Sequence, residues 1–231
     1  MLFRSDQNHS YVLPVPYAIY RGRILRATRD GARAVLLDSE RFDFDISLAA
    51  SPPTKSQDND ARRGMPDLAP TLEVGPNLNL RLLQGSGWKL DLRLPVRGVV
   101  SVQRRPQALG WTVNPVLNVD WELAGWRVGA QGGPLWATRR FNAHYYDVTA
   151  ADATATRPAY AAPSGHGGWR WTVGTSRRVG AWWVGAFVRG DSLAGAAFDN
   201  SPLVRQRHNL SAGLAASWVF AVSDERVAAR D

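Results

Sequence analysis

Residues Ala61–Leu82 read "ARRGMPDLAPTLEVGPNLNLRL". The stretch begins as a charged, turn-rich loop and from Leu72 alternates without a slip. Leu72, Val74, Pro76, Leu78, Leu80 and Leu82 fall on one side, and Glu73, Gly75, Asn77, Asn79 and Arg81 on the other. Successive side chains of a strand face opposite sides of a sheet, so one face here is apolar and the other polar. A protein core or lipid could cover the apolar face.

The same period recurs along the chain. "FDFDISLAA" (Phe42–Ala50), "WKLDLRLPVRG" (Trp88–Gly98), "WTVNPVLNVDW" (Trp111–Trp121) and "WRVGAQGGPLW" (Trp126–Trp136) each alternate. So do "YVLPVPYAIY" (Tyr11–Tyr20), the pair "RILRAT" and "RAVLLD" around Asp30-Gly31, "FNAHYYDV", "GWRWTVGTS", "AWWVGAFVRG" and "NLSAGLAASWVF". This patterning predicts an all-β, antiparallel, up-and-down barrel of about twelve strands over residues 1–220, with a charged tail at 221–231. Ser51–Pro70, Thr149–Gly167 and Asp191–Arg207 are the longest links. No apolar run reaches the ~18 residues of a membrane helix, which leaves a membrane β-barrel open because its segments alternate.

The tryptophans separate the two solvents. Trp111 and Trp121 share a face ten residues apart, and Trp126 and Trp136 repeat the spacing. Ten residues at ~3.3 Å, tilted by ~40°, rise about 25 Å, the height of a lipid-facing band. Tryptophan is enriched at both membrane interfaces. The pairs, with Trp218 and Phe220 near the end of the last strand, are expected to form aromatic girdles. Core tryptophans of a β-sandwich would share the periodicity; the spacing favours lipid. The opposite face would then line a polar lumen with charges of both signs, including Arg81, Lys89, Asp91, Arg93 and Arg97.

There is no cysteine, so disulfides and thiolate metal sites are excluded. The net charge is +8, but the arginines are scattered and form no binding arm, which argues against a nucleic-acid partner. The four histidines, His9, His144, His166 and His208, have no metal-ligand spacing. Gly190-Asp191-Ser192 lacks a nucleophile-elbow context, and Asp58-Asn59-Asp60 lacks EF-hand spacing. No catalytic, cofactor or metal site is expected, and the chain is read as a non-enzyme.

The stretch from Asp58 to Leu82 resembles the MipA/OmpV family of Gram-negative outer-membrane proteins. The motif comprises Asn59, Arg62, Arg63, Gly64, Met65, Pro66, Asp67, Glu73, Gly75 and Pro76. "LPVPYAIYRG", "FDISLAAS", "AHYYDV" with "PAYAAPSGHGG", and "GDSLAGAAFDNSPLV" are similar to further family segments, although Asn200 stands where the family pattern has Asp. The resemblance implies an outer-membrane location among lipid and lipopolysaccharide, with a signal peptide and an opening strand upstream of this chain. It implies a scaffold linking a murein transglycosylase and a murein synthase to the membrane; other members are linked to adhesion and antibiotic susceptibility. A small-solute channel, an adhesion barrel and an outer-membrane hydrolase are the alternatives. The motif loop is expected to fold over the barrel mouth and pair with lumen charges such as Glu73. Counting strands back from a periplasmic C-terminus places Asp191–Arg207 and Thr149–Gly167 outside but Ser51–Pro70 inside. Either the motif loop is periplasmic or one strand in the middle is misassigned.

Overall fold

The computed structural model describes residues 20–21, 25–28, 31–39 and 41–219. The first segment, Tyr11–Tyr20 up to its last residue, together with Asp30, Phe220 and the tail, lies outside the described residues.

The strands are β1 (Tyr20–Arg21), β2 (Leu25–Thr28), β3 (Gly31–Asp38), β4 (Phe42–Ser51), β5 (Thr71–Gly85), β6 (Trp88–Ser101), β7 (Gln107–Val113), β8 (Val116–Leu123), β9 (Trp126–Ala137), β10 (Gly165–Val179), β11 (Trp182–Ser192) and β12 (His208–Trp218). One helix, α1 (Arg139–Tyr146), lies between β9 and β10. The strands form one 12-stranded sheet in which each pairs antiparallel with its sequence neighbour, save that β7 and β8 share the place between β6 and β9. The break between β7 and β8 falls at Asn114-Pro115, where proline has no N–H to give the ladder. The two halves make one crossing of the sheet.

The sheet is inverted relative to a soluble one. Asp45, Asn77, Asp91, Thr112, Asn118, Ser176 and Asp191 are buried on its inner face. Leu72, Val74, Leu117, Val173, Val188 and Leu214 are exposed on its outer face, Leu214 to 90%. A water-soluble fold would pay for so much exposed apolar area. A membrane barrel has this arrangement, with an apolar exterior and a polar interior.

The segment Phe141–Val148, read above as a strand, contradicts that reading. Arg139–Tyr146 is a helix that begins after Thr138. The misreading has a geometric cause: residues four apart share a face in a strand and in a helix alike. Phe141 with Tyr145, and Asn142 with Tyr146, are such pairs, and all four are buried.

Removing that strand changes the parity of the count. The turns at residues 39–41, 86–87, 124–125 and 180–181 lie at one end of the sheet. The connections 52–70, 102–106, 138–164 and 193–207 all lie at the other. The motif loop therefore shares its end with every other long connection, and the sequence count that separated them is corrected.

Candidate functional site

At the long-loop end, three connections pack into a cap. Its core joins Leu68 of the first connection, Phe141, Tyr145, Tyr146 and Ala162 of the second, and Leu193, Ala196 and Phe198 at the third. They close on Val99, Leu109 and Ala137 of the wall. Tyr146 stacks on Phe198 with ring centroids 3.8 Å apart. A second cluster joins Ala61 and Met65 of the motif to Val148 and Leu203.

The motif residues build this cap from within. Backbone bonds between Thr54 and Leu68 clamp the base of the loop. The Asp67 carboxylate accepts the Ser56 N–H at 2.6 Å, and the Ser56 hydroxyl donates to the Pro66 carbonyl at 2.7 Å. Asn59 Oδ1 accepts the Ala61 N–H at 3.0 Å, a local turn of the kind asparagine favours. Gly64 has φ +83°, which only glycine adopts without strain. In β5, a Cβ on Gly75 would sit 2.0 Å from the Val96 carbonyl, so the wall at Gly75-Pro76 admits no side chain there.

Arg62 is 4% exposed. It donates from Nε to Ser56 Oγ (3.3 Å), from Nη1 to the Tyr145 carbonyl (3.1 Å) and from Nη2 to the Pro66 carbonyl (3.4 Å). Burial lowers its pKa to about 10, against the opposing attraction of Asp152 and Asp67. Arg63 is exposed and pairs with Asp60. The two adjacent arginines therefore do different things: Arg62 is an internal strut and Arg63 faces solvent.

Sequence reasoning missed the strut on the other side. Arg157 Nη1 donates to the Ala61 and Arg63 carbonyls at 3.2 and 3.0 Å, and its Nε and Nη2 bind the Asp152 carbonyl. Ser201 Oγ donates to the Tyr146 carbonyl at 2.8 Å, and Asn142 Nδ2 to the Pro163 carbonyl at 2.7 Å. These bonds join residues 55 to 96 apart or lie in loops without periodicity, so no local pattern marks them.

Among the described residues, the expected pairing of the motif loop with Glu73 is not found. Asp67 binds the Ser56 N–H within the loop, and Arg62 binds loop oxygens and the Tyr145 carbonyl of the second connection. Glu73 instead faces a cavity beneath the cap, with Arg97 and Arg170. Further along the inner face, Arg81 and Asp91 stand 3.8 Å apart and Lys89 and Asp120 4.0 Å apart. Arg93 is half-buried on the same face, and Arg97 Nε donates to Ser47 Oγ at 2.9 Å. Asp191, missed as a lumen residue, is held by Arg170 (2.9 Å) and Arg189 (3.2 Å). The alternation "WRW" that places Trp169 and Trp171 outside could have placed Arg170 inside.

Trp111, Trp136, Trp169 and Trp171 lie near the long-loop end, and Trp88, Trp121, Trp126, Trp182 and Trp218 near the tight-turn end; all nine are exposed. Trp121 pairs with Trp88 and Trp182 with Trp218 across adjacent strands.

Ser192 lies opposite His208 in the β11–β12 ladder. Its hydroxyl accepts the Ala194 N–H, and the carboxylate of Asp191 is engaged by two arginines. No group of three or more His, Asp or Glu suited to a metal occurs among the described residues.

The family model described as "MltA-interacting protein MipA" matches residues 3–220. No curated protein and no solved structure matches the chain. With nearly its whole length matched, this chain belongs to the MipA family.

Proposed function

We propose that this chain, a member of the MipA family, is an outer-membrane scaffold that holds murein-cleaving and murein-synthesising enzymes through the tight-turn end of its barrel. The cap carries the reading. Three connections pack together over one end of the sheet, which suits a scaffold better than an open porin. The family description names an interaction with a murein transglycosylase, and Arg62 and Met65 of the motif are buried inside the cap.

Outer-membrane barrels carry long loops outside and short turns in the periplasm. On that rule the cap faces the exterior and the turns face the murein. Leu123 and Val179, 70% and 57% exposed, stand at those turns with the Glu122–Arg127 ion pair. The two rows of tryptophans set the barrel's depth in the bilayer. Arg104, Arg105, Arg139 and Arg140, exposed around the cap, suit the phosphates of lipopolysaccharide.

Site-specific photocrosslinking in cells tests the assignment. A crosslinker at Leu123 should capture a murein transglycosylase or synthase, and one at Arg63 should not. Capture from Arg63 and none from Leu123 would reverse the proposed face.

A further inference from the structure

The cavity beneath the cap is separate from the proposed partner surface. Its roof is Leu68 and Ala69 of the motif loop, and Phe141 and Leu135 form apolar sides. Three ionised groups of the inner wall reach it: Glu73, Arg97 and Arg170.

Their bonding is incomplete. Among the described residues, the Glu73 carboxylate has no hydrogen bond or ion pair; it acts on Arg97 only through the field between them. Arg97 donates from Nε to Ser47 and Arg170 from Nε to Asp191. Among the described residues, neither guanidinium uses its terminal amino groups. Half-buried charged groups with unused hydrogen-bonding capacity favour a ligand that completes them.

We propose that this cavity binds a small zwitterion of the α-amino-acid type. The free ends of Arg97 and Arg170 match a carboxylate, for which the guanidinium fork is shaped. Glu73 accepts from the ammonium group. A simple anion would meet the charge of Glu73, and a simple cation would meet two arginines. A molecule carrying both charges on neighbouring carbons meets neither penalty.

The test is equilibrium dialysis of radiolabelled glycine, acetate and methylamine against the full chain folded in detergent. Glycine should be retained above both other probes. Glu73→Gln, close to isosteric, should cut glycine retention by about tenfold, the scale of one charge-assisted hydrogen bond, and raise acetate retention, because the repelling charge is gone. The proposal is overturned if wild-type protein holds acetate as well as glycine, if it holds no glycine above methylamine, or if a folded Glu73→Gln variant retains glycine undiminished. The three-probe comparison on the wild-type chain needs no variant. Failure here leaves the turn-end partner surface untouched, and loss of that surface leaves this site standing.

Discussion

At the scale of single residues, the cap is held by groups whose charge has been taken out of water. His144 lies on α1 beside Tyr145, their rings 4.8 Å apart, and among the described residues its buried Nε2 has no hydrogen-bond partner. Burial lowers its pKa below the ordinary 6.5, and the nearby positive charge of Arg62 lowers it further. A histidine whose pKa is depressed in the closed cap takes up its proton more readily when the cap is open. Stability is therefore full above about pH 6.5 and declines as pH falls, by up to ~1.4 kcal/mol per unit until the depressed pKa is reached. Cleavage of the cap by a protease active across the range, corrected for its rate on an unfolded substrate, should speed up between pH 7.5 and 5.5. His144→Gln should flatten that dependence; an equally steep profile in the variant would assign it elsewhere. None of this was legible in the sequence, where His144 stood only as one histidine without metal-ligand spacing. Part of its environment is the motif loop carrying Arg62, distant in sequence. The motif positions, by contrast, were legible as a group, but the division of labour between Arg62 and Arg63 depends on burial that adjacency cannot reveal.

At the scale of elements, alternation carried the strands faithfully because the period of a strand is fixed by its pleat. It did not carry α1, since Phe141 and Tyr145 fit both periods, and one misread element shifted the count that assigns loops to ends. Nor could alternation say which face meets lipid. The burial of Asp45 and Asp191 and the exposure of Leu214 show which face is turned outward. Leu214 lies in the middle of β12, opposite Ala186. An arginine at the midplane of a lipid-facing strand costs about 2–4 kcal/mol. Leu214→Arg should lower the stability of the barrel in liposomes, measured by reversible urea unfolding, by that amount. On a water-exposed surface the same change is close to neutral, and a neutral result would place this face outside the bilayer.

At the scale of the whole molecule, one fact organises the rest: long connections gather at one end and tight turns at the other. The cap, the cavity below it and the surrounding arginines belong to the first end; Leu123, Val179 and the Glu122–Arg127 pair belong to the second. The sequence placed the first and third long connections to within two residues, but it began the second at Thr149 instead of 138 and could not sort the three between the two ends while residues 141–148 were counted as a strand. The scaffold reading depends on which end faces the murein. The chain has no cysteine, so single cysteines can report sidedness without background. Ala155→Cys, in the exposed part of the second cap connection, and Leu123→Cys, at a tight turn, would be treated in Gram-negative cells with a membrane-impermeant maleimide. The account predicts labelling of Ala155→Cys in intact cells, and of Leu123→Cys only after the outer membrane is permeabilised. Labelling of Leu123→Cys in intact cells with Ala155→Cys protected would contradict it, placing the cap in the periplasm and the turns outside.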